Sequence, residues 1–303
     1  MRVLVLGHTG YLGGQVAARF ASLPGVRVIG GGRSAGAEVP VDLASDSVEG
    51  LAGRLASVAV DAVVNCAGVT GGDPVRLAEV NARGPAVLCA ALARACPTVR
   101  LVHLGSAAEY GPSTVRVPVS ESAAACPVTV YGATKLAGTV AVSASGLDAV
   151  VLRVGNPVGA GAPVSGLPGR VAALLRGAGG GAGAVVRLGD LSAYRDFVDV
   201  RDVARAVEGA VGASGPLPPV LNVGGGEAVL VRDLVRRLAD IAGFRGRVVE
   251  QGAGGARSAP VSWQCSDVSA AAEVLGWRPT YALERSLAAL WAGGARPGGE
   301  GPV

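Results

Sequence analysis

Short runs of valine, leucine and isoleucine alternate with longer amphipathic stretches through the first half of the chain. Five apolar runs of strand length lie at 2–7, 26–30, 61–68, 99–106 and 148–156. Between them apolar residues recur with a period near 3.6, most clearly over 81–95 and 131–143, which predicts helices. Apolar strands that alternate with helices are typical of an α/β protein, a doubly wound parallel sheet with helices on both faces.

The pattern changes after Asn156, where loop-rich segments such as "GAGAPVSGLPG" separate sparser elements. We therefore predict a first domain over 1–155 and a smaller, mixed α+β lobe built from 156–195 and 224–292. The stretch 196–223 is predicted to return to the first sheet as a helix and a strand. The glycine-rich tail 293–303 is predicted to be disordered.

Composition narrows the classes of function. Half of the 303 residues are hydrophobic and 17% are charged, which indicates a globular protein. The 27 basic residues are scattered and form no run with interleaved aromatics, so no nucleic-acid partner is expected. A net charge of +4 suits a small anionic ligand. Every basic residue except Lys135 is arginine, which hints that this position needs an amine.

Cysteine and histidine usage argues against a metal site and against secretion. The two histidines, His8 and His103, lie far apart without local ligand partners. The five cysteines form no C-x-x-C and are an odd number, as is usual for reduced thiols in the cytoplasm. The N-terminus "MRVLVLGHTG" has only a short apolar run. We therefore predict a cytoplasmic protein with no metal, no signal peptide and no membrane contact.

The first strand leads directly into a glycine triad, Gly7-x-x-Gly10-x-x-Gly13, at the start of a helix. Glycines permit a tight turn and a close approach of the backbone, and a helix N-terminus offers N–H groups to a pyrophosphate. A packing turn is the plain alternative for such a triad. Its position at the first strand–turn–helix favours a Rossmann-type dinucleotide site, lined also by Thr9, Tyr11 and Leu12.

The second strand ends in "VIGGGRS", without the acidic residue that holds the ribose 2′-hydroxyl of NAD. Arg33 and Ser34 follow the glycines, and a guanidinium with a hydroxyl suits a 2′-phosphate. We therefore predict NADP(H) over NAD(H). The alternative is that Arg33 is a solvated loop residue. Asp42 and Leu43, in "VDL", fall where a loop could lie along the adenine.

A serine, a tyrosine and the single lysine form the candidate chemistry. Tyr131 and Lys135 are four residues apart and share a helix face, so the ammonium could lower the pKa of the phenol for acid–base work. A half-buried tyrosine capped by a lysine stem is the plain alternative. Ser106 ends the fourth predicted strand, at the carboxyl edge where ligands bind. It could donate a hydrogen bond to a substrate carbonyl, or simply end a strand.

The chain resembles the extended short-chain dehydrogenases/reductases, the NAD(P)-dependent sugar epimerase/dehydratase family. The resemblance covers about residues 1–292. It rests on "GHTGYLG", "NCAG", "NARGPAVLCAA", "GSAAEYG", "YGATK", "LRVGNPVG", "YRDFVDVRDVARA", "LNVGGGEAV" and "LGWRPT", in that order. Among this family the sequence is most similar to the GDP-4-keto-6-deoxymannose reductases, through "EYG" and "YRDFVDVRD".

The resemblance implies roles for particular residues. Tyr131 would exchange the hydroxyl proton during hydride transfer, Lys135 would lower its pKa and hold the nicotinamide ribose, and Ser106 would orient the carbonyl. Further cofactor contacts are implied for Cys66, Ala67, Gly68, Asn81, Pro157 and Val158. Substrate contacts are implied for Ala107, Asn156, Arg195 and Arg257, the two arginines holding a diphosphate. For Arg195 the alternative is a salt bridge to Asp196 or Asp202.

Family members that dehydrate sugars carry an acidic pair directly after the strand-end serine or threonine. This chain has Ala107 and Ala108 there, so we predict a 4-ketoreductase of a nucleotide-activated 6-deoxy sugar. A 4-epimerase with retained NAD, and a reductase of a non-sugar natural-product carbonyl, remain alternatives. A non-catalytic NADPH-sensing module is the alternative from another class. Helices 81–95 and 131–143 carry small apolar residues outside the core face, which predicts a homodimer.

Overall fold

A seven-stranded parallel sheet forms the larger lobe. The computed structural model describes residues 1–179, 181–252 and 261–294. The strands of this sheet are β1 (Arg2–Leu6), β2 (Arg27–Gly32), β3 (Val39–Pro40), β4 (Ala62–Asn65), β5 (Arg100–Ser106), β6 (Ala149–Val154) and β10 (Val220–Val223). Their order is 10-6-5-4-1-2-3, and every neighbouring pair is parallel. The predicted doubly wound sheet is confirmed.

Helices cover both faces because the buried strands are apolar on both sides. The helices of this lobe are α1 (Tyr11–Ala21), α2 (Val48–Ala56), α3 (Pro74–Ala78), α4 (Gly84–Ala95), α5 (Val130–Ser143) and α7 (Val200–Gly212). Phe20 of α1 and Val207 of α7 pack in the core on one face. Leu51 of α2, Leu88 of α4 and Val142 of α5 pack in the core on the other face.

Within the described residues, the second lobe is built from two small sheets and three helices. The strands β7 (Asn156–Val158), β9 (Tyr194–Asp199) and β11 (Ala228–Leu230) form one sheet, and β8 (Val185–Leu188) pairs with β12 (Arg247–Glu250). The helices α6 (Leu167–Ala178), α8 (Val231–Ile241) and α10 (Leu283–Gly293) share a separate core with these strands. The short helix α9 (Ser269–Leu275) packs instead against α7 and β10.

Several element boundaries differ from those predicted from the sequence. The run 148–156 is not one strand: β6 ends at Val154, and Asn156 begins β7 in the other sheet. The predicted helix 81–95 starts with a π-helical turn over Glu79–Arg83 before α4. The strand predicted over 61–68 ends at Asn65, so the three residues after it are loop.

No helix among 1–179, 181–252 and 261–294 combines the length and the apolar character needed to cross a lipid bilayer. Within the same residues, no three histidine, cysteine or acidic side chains lie together as metal ligands would.

Candidate active site

A cleft of about 860 Å³ separates the carboxyl edge of the large sheet from the second lobe. This is the edge at which open parallel sheets bind ligands. The large lobe contributes Gly10, Tyr11, Leu12, Gly13, Cys66, Ala67, Gly68, Asn81, Ser106, Ala107, Tyr131 and Lys135 to its lining. The second lobe contributes Asn156, Pro157, Arg170, Arg187, Asp190, Arg195 and Gln264. The structure therefore brings together most of the predicted site residues.

The glycine loop has the geometry of a phosphate cradle. Gly7 has a φ of +75°, a conformation that favours glycine. A Cβ atom on Gly13 would lie 2.1 Å from the carbonyl oxygen of Gly7, so only glycine lets α1 pack this close to the loop. The helix begins at Tyr11 with no side-chain cap and no acidic residue in its first turn. Its N-terminal N–H groups can therefore receive an anion from the cleft.

The loop after β4 is held by two buried polar side chains. The Ala67 amide donates to Asn65 Oδ1 over 3.1 Å, which directs the Asn65 amide nitrogen at His103 Nδ1, also at 3.1 Å. Burial and the nearby charge of Lys135 keep the pKa of His103 well below its usual range. His103 is therefore neutral and has a structural role. Its hydrogen bond with Asn65, and that of Asn65 with the Ala67 amide, hold the Ala67 backbone beside the cleft.

Lys135 lies almost fully buried, with 5% of its surface exposed. Its Nζ donates to the carbonyl oxygen of Leu104 over 2.6 Å. Burial lowers the pKa of this ammonium, and the negative charge of Glu109 and the Cys66 sulfur oppose the shift. The hydrogen bond thus fixes the amine at the base of the cleft. Because the site is buried and its dielectric constant is low, the ammonium charge acts strongly on neighbouring groups.

Ser106 ends β5 and caps the short 3₁₀ turn Ala107–Glu109. Its Oγ accepts from the Ala108 amide over 3.2 Å, and its own amide donates to Glu109 Oε1 over 2.7 Å. This reciprocal pair is a capping box, which fixes the backbone of the serine. The Ser106 side chain is partly exposed and lines the cleft, so it can also meet a substrate oxygen.

Glu109 is fully buried and engaged on both of its oxygens. Its Oε2 accepts from Arg153 Nε over 2.7 Å and from the Thr139 hydroxyl over 2.8 Å. Burial alone would lower the pKa of Arg153, but the charges and hydrogen bonds of Glu109 and Tyr110 together outweigh burial and raise that pKa. The Arg153 guanidinium also lies 4.5 Å from the centre of the Tyr110 ring. Glu109 is therefore a structural anchor behind Ser106 and not a second acid for catalysis.

Two tyrosines line the cleft, and their surroundings separate their roles. The Tyr11 hydroxyl faces the Gly159 carbonyl oxygen at 3.5 Å. Burial, with the charge of Asp199, raises the pKa of Tyr11 far above its usual range, so it is a poor proton donor at neutral pH. Tyr131 is half-buried at the first turn of α5, one helical turn before Lys135. Tyr131 therefore stays the predicted acid–base tyrosine.

Asn81 ties the π-helical turn to the cleft. Its side chain exchanges hydrogen bonds with the Val69 backbone, at 2.8 and 3.0 Å, and lies 3.4 Å from the Thr134 hydroxyl of α5. A Cβ on Gly138 would lie 2.3 Å from the Asn81 carbonyl oxygen, so α5 touches this turn through a glycine. Single π-turns inside helices occur frequently at functional sites.

On the opposite wall, Asn156 and Arg195 line the cleft as predicted. Asn156 Nδ2 donates to the Asp196 carbonyl over 3.1 Å and to Gln264 Oε1 over 3.2 Å. Arg195 NH1 donates to the Tyr194 carbonyl over 2.7 Å, and burial lowers the pKa of its guanidinium. The carboxylates of Asp196 and Asp202 are engaged with backbone amides and with Arg205 and Thr280.

Some predicted contacts lie away from the cleft lining. Gly7, Thr9, Arg33, Ser34, Asp42, Leu43 and Val158 do not line it. Val158 is buried in the core of the second lobe, so its side chain cannot meet a ligand. The Asp42 carboxylate accepts from the Ala44 amide over 3.1 Å and shapes its own turn. Arg33 and Ser34 are exposed just beyond β2. Arg257 lies outside the described residues.

Sequence reasoning missed Arg153, Arg170, Arg187 and Gln264. Arg153 interrupts an apolar strand, "AVVLRV", and a charged residue there signals a buried partner. Arg170 and Arg187, on α6 and β8, carry no local motif and reach the cleft only through the fold of the second lobe. Gln264 precedes a buried cysteine in a stretch without strong periodicity, so the sequence gives no sign that its side chain lines the cleft.

Comparison with known proteins agrees with this geometry. Residues 3–224 match the NAD dependent epimerase/dehydratase family. The chain is 38% identical over 302 residues to dTDP-6-deoxy-L-talose 4-dehydrogenase (NAD(P)(+)) of Kitasatospora kifunensis, covering 96% of this chain and 94% of that protein. It is 27% identical to GDP-6-deoxy-D-mannose reductase of Pseudomonas aeruginosa, covering 76% and 79%.

A solved structure extends the similarity to the fold. MoeE5 in complex with UDP-glucose and NAD superposes with a TM-score of 0.81 at 27% identity, covering 96% of this chain and 98% of that one. The resemblance that the motifs indicated is confirmed. The chain therefore belongs to the NAD dependent epimerase/dehydratase family, as an NAD(P)-dependent enzyme.

Proposed function

We propose that the protein is a ketoreductase that reduces the 4-keto group of a nucleotide-activated 6-deoxy sugar with NAD(P)H. The observation that carries this proposal is the composition of one end of the cleft. Ser106, Tyr131 and Lys135 line it together, and Ala107 and Ala108 stand where a second acid and base would be needed for dehydration. The next residue in the chain, Glu109, is fully buried in an ion pair.

These three side chains divide the work of one proton transfer. Tyr131 gives its phenolic proton to the carbonyl oxygen and is later reprotonated from solvent. The Lys135 ammonium, held by the Leu104 carbonyl, favours the phenolate that remains. Ser106 donates a hydrogen bond to the same oxygen and orients the carbonyl. In the reverse direction the same groups would remove a hydroxyl proton.

The residues present fit a dinucleotide cofactor. The glycine loop and the uncapped start of α1 would hold the pyrophosphate, and Ala67, Gly68 and Lys135 would lie along the nicotinamide ribose. When bound in reduced form, the nicotinamide supplies the hydride. We propose NADP(H) as the preferred form, because β2 ends in glycines followed by Arg33.

The charge distribution along the cleft supports a sugar nucleotide with a deoxy carbon. Around Ser106 and Tyr131 the lining side chains include Val69, Ala107, Ala108 and Val128, which suit a methyl group. The second-lobe wall carries the guanidinium groups of Arg170, Arg187 and Arg195. An anionic diphosphate would bind these arginines and direct the sugar towards Tyr131. A relative that is 38% identical over 302 residues is named for a 6-deoxy sugar.

A 4-epimerase is the second candidate, since the family name includes epimerases and the same acid–base pair can perform that reaction. An epimerase keeps its NAD and reduces the other face of the ketone. A non-sugar carbonyl as substrate is the third. A sensing module without catalysis is disfavoured, because the serine, tyrosine and lysine all line one cleft.

The test is to incubate the purified protein with NADPH, or NADH, and a panel of dTDP-, GDP- and UDP-linked 4-keto-6-deoxy sugars. We expect loss of reduced cofactor and a product with two added hydrogens, for one nucleotide above the others. Tightly bound NAD in the purified protein, with interconversion of 4-epimers and no net oxidation of cofactor, would favour the epimerase. No turnover of any sugar nucleotide would contradict both.

We also propose that the protein is a homodimer. The outer face of α5 exposes Val130, Ala133, Ala137 and Val140, and that of α4 exposes Ala86, Ala90 and Ala93. The two helices pack side by side, so these residues form one apolar face on the large lobe. Ala137→Arg should shift the mass in light scattering from dimer to monomer. Ala18→Arg, at an exposed site on α1, is the control that should not.

A further inference from the structure

His8 occupies an unusual place in the glycine loop. Its Nδ1 lies 3.2 Å from the Gly31 carbonyl oxygen, and because a carbonyl can only accept, Nδ1 is the donor of this bond. A Cβ atom built on Gly30 would lie 2.8 Å from His8 Nε2, 2.9 Å from Cδ2 and 3.0 Å from Cε1. The imidazole therefore fills the space that a side chain at residue 30 would take.

The end of β2 presents alternate residues to the loop. A Cβ on Gly31 would lie 2.5 Å from Leu6 Cδ2, so residue 31 faces the core. Residues 30 and 32 face the other side, towards His8 and the Gly7 amide. In a site that selects NAD, a carboxylate from this strand end holds the ribose 2′-hydroxyl. Here an imidazole, from a different element, stands on that face.

The charged groups near this strand end are an arginine that is unpaired within the described residues and two carboxylates that already have partners of their own. Arg33 follows β2, is exposed, and forms no ion pair with the residues that the structure describes. Glu38 pairs with Arg27 at 2.9 Å on the surface, which partly offsets its charge. Asp42 accepts from the Ala44 amide in its own turn. In an NAD-selective enzyme a carboxylate on this face of β2 would repel a 2′-phosphate. This chain has no carboxylate at residues 30–32, so the face can bind a phosphate.

We infer that His8 selects the cofactor by binding its 2′-phosphate, together with Arg33. Nδ1–H stays on the Gly31 carbonyl, and Nε2 forms a hydrogen bond with an oxygen of the 2′-phosphate, whose monoanion brings the shared proton. Gly30 contributes to the same site, because only glycine at this position leaves room for the His8 imidazole. This inference rests on the preference for NADP(H) in the proposed function and names the residue that produces it.

The test measures ligand binding without turnover. Adenosine 2′,5′-bisphosphate and adenosine 5′-monophosphate are titrated into the full-length protein by calorimetry. The ratio of their affinities isolates the 2′-phosphate. We expect His8→Ala to lower this ratio about tenfold, the size of one charge-assisted hydrogen bond, with the monophosphate affinity unchanged.

Gly30→Ala supplies the second variant. An added methyl would meet the far end of the imidazole and turn it away, so Gly30→Ala should lower the ratio as His8→Ala does. The double variant should lose no more than either single one, because both remove the same contact. Gly36→Ala is the matched control: a Cβ there meets no atom within 4 Å, and the ratio should stay that of the wild type.

The possible results distinguish a failure of the His8 inference from a failure of the proposed NADP(H) preference. If wild type prefers the bisphosphate and His8→Ala keeps that preference, the inference is wrong and the preference comes from Arg33 alone. If His8→Ala weakens both ligands equally, the ring merely packs on the adenosine and the inference is also wrong. If wild type binds both ligands equally, the proposed NADP(H) preference fails first, and the inference fails with it. Circular dichroism and the melting temperature verify that each variant is folded.

Discussion

The two walls of the cleft are built in different ways. On the large-lobe wall, Ser106 and Lys135 are held by regular elements, and their backbone or charged groups have buried partners. On the second-lobe wall, Arg170, Arg187 and Asp190 are exposed and lie on a helix end, a strand edge and a loop. Side chains that react with a substrate need rigid support, whereas side chains that only bind the substrate can be flexible. Substitutions on the first wall should therefore alter stability or turnover, and those on the second should alter affinity.

The largest effect is expected behind the first wall. Glu109→Gln removes the charge that neutralises buried Arg153, and we expect a loss of about 3–5 kcal/mol in the free energy of unfolding. Urea denaturation measures it. Glu49→Gln is the matched control, because the Arg94–Glu49 pair is as short, 2.6 Å against 2.7 Å, but exposed. It should leave the unfolding midpoint nearly unchanged. Equal effects would mean that burial is not what separates the walls.

Tyr131→Phe comes next and concerns turnover alone. The fold and the cofactor affinity should stay nearly intact, and kcat should fall at least about a hundredfold, because only the proton donor is lost. Ser106→Ala should cost less, since water can replace one hydrogen bond. Stopped-flow kinetics with the best substrate of the panel measures both. A Tyr131→Phe enzyme with near wild-type kcat would remove this residue from the mechanism.

Arg33→Ala tests an exposed arginine at the cofactor end. It should remove about one to two decades of preference for NADPH over NADH, corresponding to about 1.5–3 kcal/mol for a charge-assisted contact. The use of NADH should not change. Fluorescence titration with both cofactors measures the ratio. An unchanged ratio would mean that Arg33 points into solvent.

The smallest effect is expected on the second wall. Arg195→Ala should raise KM for the sugar nucleotide about tenfold with little change in kcat, because a diphosphate is held alike in ground and transition states. NADPH binding should change less. If Arg195 only stabilises the lobe, the melting temperature should fall while KM stays constant. Arg187→Ala, on the same wall, shows whether the neighbouring cation shares this role.

The sequence predicts the large-lobe wall of the cleft better than the second-lobe wall. The glycine triad, Ser106 and the Tyr131–Lys135 pair lie at strand ends or on one helix, where local spacing already implies proximity. The parallel arrangement of the large sheet follows from strand–helix alternation. The π-turn at Glu79–Arg83 could not be predicted, since it depends on packing against α5. The Arg153–Glu109 pair joins residues 44 positions apart. Arg170 and Arg187 reach the cleft only through the irregular second lobe, which no local period describes.

The close contact at Gly138 links the geometry of the proposed catalytic site to the distance between α5 and the π-helical turn. Real Cβ atoms keep about 3 Å or more from a carbonyl oxygen, whereas one on Gly138 would begin 2.3 Å from that of Asn81. A single methyl group would therefore wedge α5 outward by several tenths of an ångström, carrying Tyr131 and Lys135 away from Ser106 on the sheet. Misplacement on this scale slows reactions strongly although no reacting atom is altered. The glycine at position 138 thus sets the spacing between α5 and the π-helical turn, and with it the height of Tyr131 above the sheet.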